Sequence, residues 1–104
     1  MSEPEPLPAK YFDPPARVIV GAEERRISPQ EWTVLQELWR CRGHLVGSRA
    51  LQAALYPPPK TPPDEFLNLL KVTICRLRQK LVGTPLSIET VYRKGYGLRV
   101  AAAV

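Results

Sequence analysis

Between positions 68 and 78 the chain sets Asn68, Lys71, Arg76 and Arg78 at spacings of two to five residues, with Val72, Thr73 and Cys75 among them. An ammonium group is a compact charge with three donors. A guanidinium is a planar fork of N–H donors that matches paired acceptor atoms. Such groups bind phosphate oxygens, carboxylates and the acceptor edges of bases. A second group, Tyr92-Arg93-Lys94, repeats the basic character further along and adds an aromatic ring. Neither set carries out bond-making chemistry. His44 is the only histidine, no paired carboxylates mark a cleft, and there is no glycine-rich phosphate loop, so no enzyme is expected. Cys41 and Cys75 lack partners at metal-ligand spacing; neither a metal nor a cofactor is expected, and the cysteines suit a reduced, cytoplasmic compartment.

The charge is uneven along the chain. Residues 1–66 hold eight Lys/Arg against nine Asp/Glu, whereas residues 67–104 hold seven Lys/Arg against Glu89 alone. A concentrated basic half is the electrostatic footprint of a polyanion binder. No apolar run approaches a membrane span, and the basic segment lacks the aromatic anchors of an interfacial helix, so no membrane partner is expected.

The cations need a scaffold, and the stretch from Asp64 to Leu81 supplies one. At ~100° per residue, Phe66, Leu70, Ile74, Leu77 and Leu81 fall on one face, with Leu67 at its edge. The opposite face carries Asn68, Lys71, Val72, Cys75 and Gln79, flanked by Arg76 and Arg78. It is short-chained, basic and free of carboxylates after Glu65. A helix with such a face fits a major groove.

The rest of the chain reads in order. Residues 1–10 alternate proline with Glu3, Glu5 and Leu7 and are expected to form a disordered arm. From Tyr11 to Ile27 the period is near two, predicting a small hairpin that turns at Gly21-Ala22 with Val18, Val20 and Ile27 inward. Ser28-Pro29-Gln30-Glu31 is a capping box opening a helix to about Arg42, with Trp32, Val34, Leu35, Leu38 and Trp39 as its apolar side. Both tryptophans are expected in the core. His44-Leu45-Val46 is a short extended link. Ser48 is expected to cap a shorter helix from Arg49 to about Tyr56, with Leu51, Ala54 and Leu55 inward. Pro57 to Pro63 is a stiff exposed loop, because proline can continue neither flanking helix. Beyond Gly83 and Pro85, Leu86–Val91 and Leu98–Val100 frame a β-hairpin whose tip is Tyr92, Arg93, Lys94 and Tyr96, with Gly95 and Gly97 permitting the turn.

This order of a small sheet, two helices, a long basic helix and a basic-tipped hairpin resembles the C-terminal effector domain of OmpR/PhoB-type response regulators, a bacterial winged-helix DNA-binding domain. The resemblance rests on Ser28-Pro-Gln-Glu31, Arg42-Gly-His-Leu-Val46, Ser48-Arg-Ala-Leu51, Ile74-Cys-Arg-Leu-Arg-Gln-Lys-Leu81, and Ile88-Glu-Thr-Val91 followed by Gly95-Tyr-Gly-Leu98, and spans roughly Val18 to Val100. It implies an α+β winged helix-turn-helix: three helices, an N-terminal antiparallel sheet and a C-terminal hairpin wing. The domain is expected over residues 11–100, with 101–104 as a flexible tail.

The resemblance also implies roles. Arg76 matches a base-reading arginine and Val72 a position that touches a thymine methyl; Asn68, Lys71 and Cys75 share that base-facing stripe. Arg78 matches a phosphate-contacting arginine. Ser48, Arg49 and Thr73 fall at further backbone-contact positions. Thr90, Tyr92, Arg93 and Lys94 match wing residues along the neighbouring minor groove. Pro58, Pro59, Lys60 and Thr61 match the segment that touches RNA polymerase in several family members. The implied partner is double-stranded DNA at the nucleoid, bound by a monomer or a DNA-induced tandem dimer. The chain departs from the family with Lys71 for a common Asp, Thr73 for His, Asn68 for Arg, and Tyr92 where the wing usually has Arg. The target sequence therefore does not transfer. A length of 104 residues leaves no room for a receiver domain, so the sequence is expected to be an excised domain or a stand-alone regulator. The alternative is a winged-helix interaction module for RNA polymerase or another regulator, with DNA contact secondary.

Overall fold

The computed structural model describes residues 8–42 and 44–100. Most of the expected arm, and all of the expected tail, lie outside the described residues. Lys10, assigned to that arm, opens a strand instead. Strands β1 (Lys10–Phe12), β2 (Arg17–Val20) and β3 (Glu23–Arg26) form an antiparallel sheet in that order. The β2–β3 hairpin turns at Gly21-Ala22 as the sequence predicts, with Gly21 at φ 62°. Val18 and Val20 point inward by the two-residue period, and Ile27 follows them into the core. The extra strand β1 pairs Tyr11 with Val18 across the sheet. The prolines at 14 and 15 sit in the turn that joins β1 to β2, where no ladder donor is needed.

Helix α1 (Pro29–Arg40) begins with the capping box in full. Ser28 Oγ accepts from the Glu31 amide at 3.1 Å, and the Glu31 carboxylate accepts from the Ser28 amide at 2.8 Å. Val34, Leu35 and Leu38 are its buried apolar residues; of the two tryptophans expected in the core, Trp32 packs against it from the edge and Trp39 does not belong to it. They lie on the flank of that stripe and are half-buried. Trp32 stacks on Tyr11 with ring centroids 5.3 Å apart, and Trp39 carries the Arg42 guanidinium 4.5 Å above its ring. The helix also stops at Arg40, short of the expected Arg42.

Helix α2 (Ser48–Leu55) corrects a second expectation. Gly47 occupies the cap and no side chain bonds there; Ser48 is already the first helical residue. Only Leu51 is fully buried, with Leu55 packed against the core's edge. Helix α3 (Phe66–Lys80) starts at Phe66, two residues after the expected Asp64. Phe66, Leu70, Ile74 and Leu77 are buried, and Leu81 continues the face past the helix end. Leu67, expected at the edge of this face, is 60% exposed.

Strands β4 (Leu86–Val91) and β5 (Gly95–Val100) pair antiparallel, with Ile88 opposite Leu98 and Thr90 opposite Tyr96. Leu86 and Ile88 close the core beneath α3. The 44–46 link does more than connect. Val46 exchanges both backbone bonds with Tyr96, N to O at 2.7 Å and O to N at 2.9 Å, which docks the hairpin beside the start of α2.

Candidate nucleic-acid interface

Burying four apolar side chains of α3, with Leu81 just past its end, turns the rest of the helix outward. Asn68, Lys71, Val72, Cys75 and Arg76 are all exposed, as the helical period requires once the other face is packed. Val72 is 46% exposed, and Leu69, which the sequence reading did not place on this face, equals it. Thr73 is half-buried. Its hydroxyl donates to the Leu69 carbonyl at 2.9 Å, so that proton is not available to a phosphate.

The four cations of α3 do not share one environment. Lys80 reaches across to Glu31, Nζ to Oε1 at 2.8 Å, where the carboxylate is 4% exposed. That pair ties the end of α3 to the start of α1 and removes Lys80 from any outward role. Arg78 donates from Nε to the Ile88 carbonyl at 3.3 Å and from Nη2 to Thr90 Oγ1, both on β4. Lys71 and Arg76, among the described residues, have no carboxylate or carbonyl partner. They stand with their donors toward solvent.

Next to α3 the hairpin tip projects as a second basic element. Tyr92 is 82% exposed, with the Arg93 guanidinium 5.2 Å from its ring centroid. Arg93 adopts φ 63°, and Lys94 N donates to Val91 O at 3.0 Å to close the turn. Lys71, Ile74, Cys75, Arg78, Thr90 and Tyr96 line the groove between helix and hairpin. Glu89, the lone acid of the basic half, is neutralised by Arg99 through paired bonds at 3.0 and 2.9 Å. That hydrogen bonding, followed by the direct charge attraction, raises the Arg99 pKa. Lys71 and Arg76 of α3 and Arg93 and Lys94 of the tip therefore stand exposed with no ion pair among the described residues.

Of the remaining expected residues, Ser48 is half-buried and Arg49 exposed at the start of α2. Pro58, Pro59, Lys60 and Thr61 are exposed on the loop before α3, where Lys60 N donates to Pro57 O at 2.9 Å. The structure thus brings the α3 stripe and the wing together and leaves the proline loop at the other end of the helix. The sequence reading missed Val46 and Tyr96 as the backbone contact that seats the wing. A bridge between residues fifty apart in the chain has no local pattern to reveal it.

The comparisons with known proteins converge on one family. Residues 22–98 match the family described as "Transcriptional regulatory protein, C terminal". The chain is 35% identical over 86 residues to the transcriptional regulatory protein CutR of Streptomyces coelicolor and of Streptomyces lividans. The match covers 82% of this chain and 38% of each relative, so the chain spans well under half their length. Among solved structures, the DNA-binding domain of Bacillus subtilis CssR superposes with TM-score 0.65 at 18% identity, covering 86% of this chain and 98% of that one. The C-terminal domain of the nisin resistance regulator NsrR gives 0.67 at 22%, covering 98% and 100%. The Klebsiella pneumoniae RstA DNA-binding domain, solved in complex with the RstA box, gives 0.61 at 28%, covering 90% and 91%. With its three helices, N-terminal sheet, C-terminal hairpin and these matches, the chain belongs to the OmpR/PhoB-type family of transcriptional regulatory C-terminal domains.

Proposed function

We propose that this domain binds double-stranded DNA sequence-specifically and regulates transcription, with α3 in the major groove and the wing on the flanking backbone and minor groove. The observation that carries the reading is the division of labour among the cations of one helix. Lys80 and Arg78 are engaged within the protein, whereas Lys71 and Arg76, without a partner among the described residues, lie on the exposed stripe beside Asn68, Val72 and Cys75. Donors with no protein partner, on a rigid convex element about as wide as the major groove, suit acceptor edges of bases. Family membership and the DNA-bound relative RstA support the same reading. Arg76 is the base reader and Val72 the methyl contact; Asn68, Lys71 and Cys75 complete the stripe. Arg49, Arg93 and Lys94 hold phosphate or minor groove, with Ser48, Thr90 and Tyr92 alongside; Thr73 is left out, its hydroxyl proton being held by the Leu69 carbonyl.

In vitro selection from random duplexes, followed by anisotropy titrations at several salt concentrations, tests this. A defined motif should emerge, and log affinity should fall with log salt by ~0.9 per phosphate neutralised. Failure to enrich any motif would remove the function. We propose a second contact, with RNA polymerase, at the exposed loop carrying Pro58, Pro59, Lys60 and Thr61, which matches the segment that touches the polymerase in several family members. Lys60→Glu should then lower transcription from a promoter bearing the selected site without changing DNA affinity. We place the protein at the nucleoid as a monomer in solution that pairs in tandem on adjacent half-sites; sedimentation with and without such a duplex separates the states.

A further inference from the structure

The hairpin is held on both of its edges at one level, and the cation that holds one of them belongs to α3. On the β5 edge, Tyr96 commits its own N–H and C=O to Val46. In an antiparallel ladder the bonded pairs alternate, so the β4–β5 bonds fall to Glu89–Gly97 and Val91–Gly95, and the carbonyl of Ile88 lies on the outer edge of β4. Arg78 supplies that edge with a donor from Nε and, two residues on, bonds the Thr90 hydroxyl from Nη2. Thr90 is the register partner of Tyr96, so both pins fall at the same rung. Beyond it the apolar packing has ended: Ile88 is buried, Val91 is half-buried, and Tyr92, Arg93 and Lys94 are exposed.

From this we infer that Arg78 is a positioning residue, which fixes the wing tip relative to α3 before DNA is met. The inference rests on the reading of α3 and the wing as a DNA-contacting pair. It assigns Arg78 a task other than the simple phosphate contact implied by the family resemblance. A planar fork can hold a carbonyl and a hydroxyl on one strand edge at once; an ammonium cannot reproduce both bonds in one geometry. Pre-orienting two contacting elements removes ordering cost from the binding step.

The test compares Arg78→Lys, Thr90→Val, Thr90→Ser and the Arg78→Lys/Thr90→Val double variant. Two readouts are taken: 15N relaxation of the tip amides from Tyr92 to Gly95 in the free protein, and affinity with its salt slope for the duplex recovered by selection. Arg78→Lys keeps the charge and Thr90→Ser keeps the hydroxyl. Arg78→Lys and Thr90→Val should each loosen the tip without DNA and weaken binding by about tenfold, with the salt slope unchanged. The double variant should be no worse than Arg78→Lys alone, because that substitution already removes the bond to Thr90. Thr90→Ser, which keeps the acceptor for Arg78, should restore the wild-type relaxation of the tip. Wild-type affinity in Arg78→Lys, an unaltered tip, or losses that multiply in the double variant would overturn the positioning role. If the wild-type domain binds no duplex at all, the DNA reading falls, and the relaxation data alone still decide the brace.

Discussion

A methyl group added at Gly95 would stand 2.4 Å from the carbonyl oxygen of Val46 and 2.7 Å from its carbon, both backbone atoms. Gly95 also has φ 134°, in the region L-residues rarely enter. Gly95→Ala therefore meets two costs. Backbone strain of this kind is about 1–3 kcal/mol. The steric clash cannot be relieved by a rotamer change, so the Val46–Tyr96 exchange must open, losing two backbone bonds of about 0.5–1.5 kcal/mol each. The hairpin escapes part of the strain by moving away, so the total should be about 2–4 kcal/mol, a large share of the ~5–15 kcal/mol typical of a domain. The control lies two residues along. At Gly97 the added methyl would meet the flexible Leu45 Cδ2 at 3.3 Å and Glu89 Oε2 at 3.9 Å, and should cost under about 1 kcal/mol. Urea unfolding of the two variants measures both, and anisotropy with the selected duplex reports the displaced wing as a further loss for Gly95→Ala. Equal stability of the two variants would refute the argument that Val46 closes off this position.

Other outcomes are expected from the same contacts. Arg76→Ala should reduce specific binding by about 1–3 kcal/mol and relax selectivity at one base pair; equal loss on random DNA would deny it a base contact. Joint replacement of Arg93 and Lys94 by alanine should weaken binding to all sequences alike and flatten the salt slope by about two phosphates' worth; an unchanged slope would place the wing tip off the DNA. Glu31→Ala, which removes half the capping box and the partner of Lys80, should lower unfolding free energy by about 1–3 kcal/mol while salt-dependent DNA binding by the folded fraction persists. A Glu31→Ala domain of wild-type stability would mean that the buried pair contributes nothing net.

Much of the fold was legible from local rules. The two-residue period around Val18 and Val20, the capping box at Ser28 and Glu31, and the helical stripe Phe66, Leu70, Ile74, Leu77 are all nearest-neighbour signals, and each appears in the structure. Boundaries and caps were less legible. Gly47 took the cap expected of Ser48, because an extended backbone before a helix is acceptable to either residue. Both tryptophans suggested core by type, yet the volume beneath α1 is filled by Val34, Leu35 and Leu38. On the flank of that stripe Trp32 reaches only the core's edge, stacked on Tyr11, and Trp39 carries Arg42.

The sequence by itself determined the family, the face of α3 that turns outward and the concentration of positive charge in the last third of the chain, because periodicity and composition are properties of neighbours in the chain. It could not separate four cations on one helix that look alike in one dimension. Only the tertiary structure decided that Lys80 belongs to Glu31, that Arg78 belongs to the edge of β4, and that Lys71 and Arg76 have no partner among the described residues. A charge is structural or available according to which acceptors lie within about 3 Å of it. For Lys80 that acceptor comes from a residue 49 positions away, brought there by packing rather than by any local pattern.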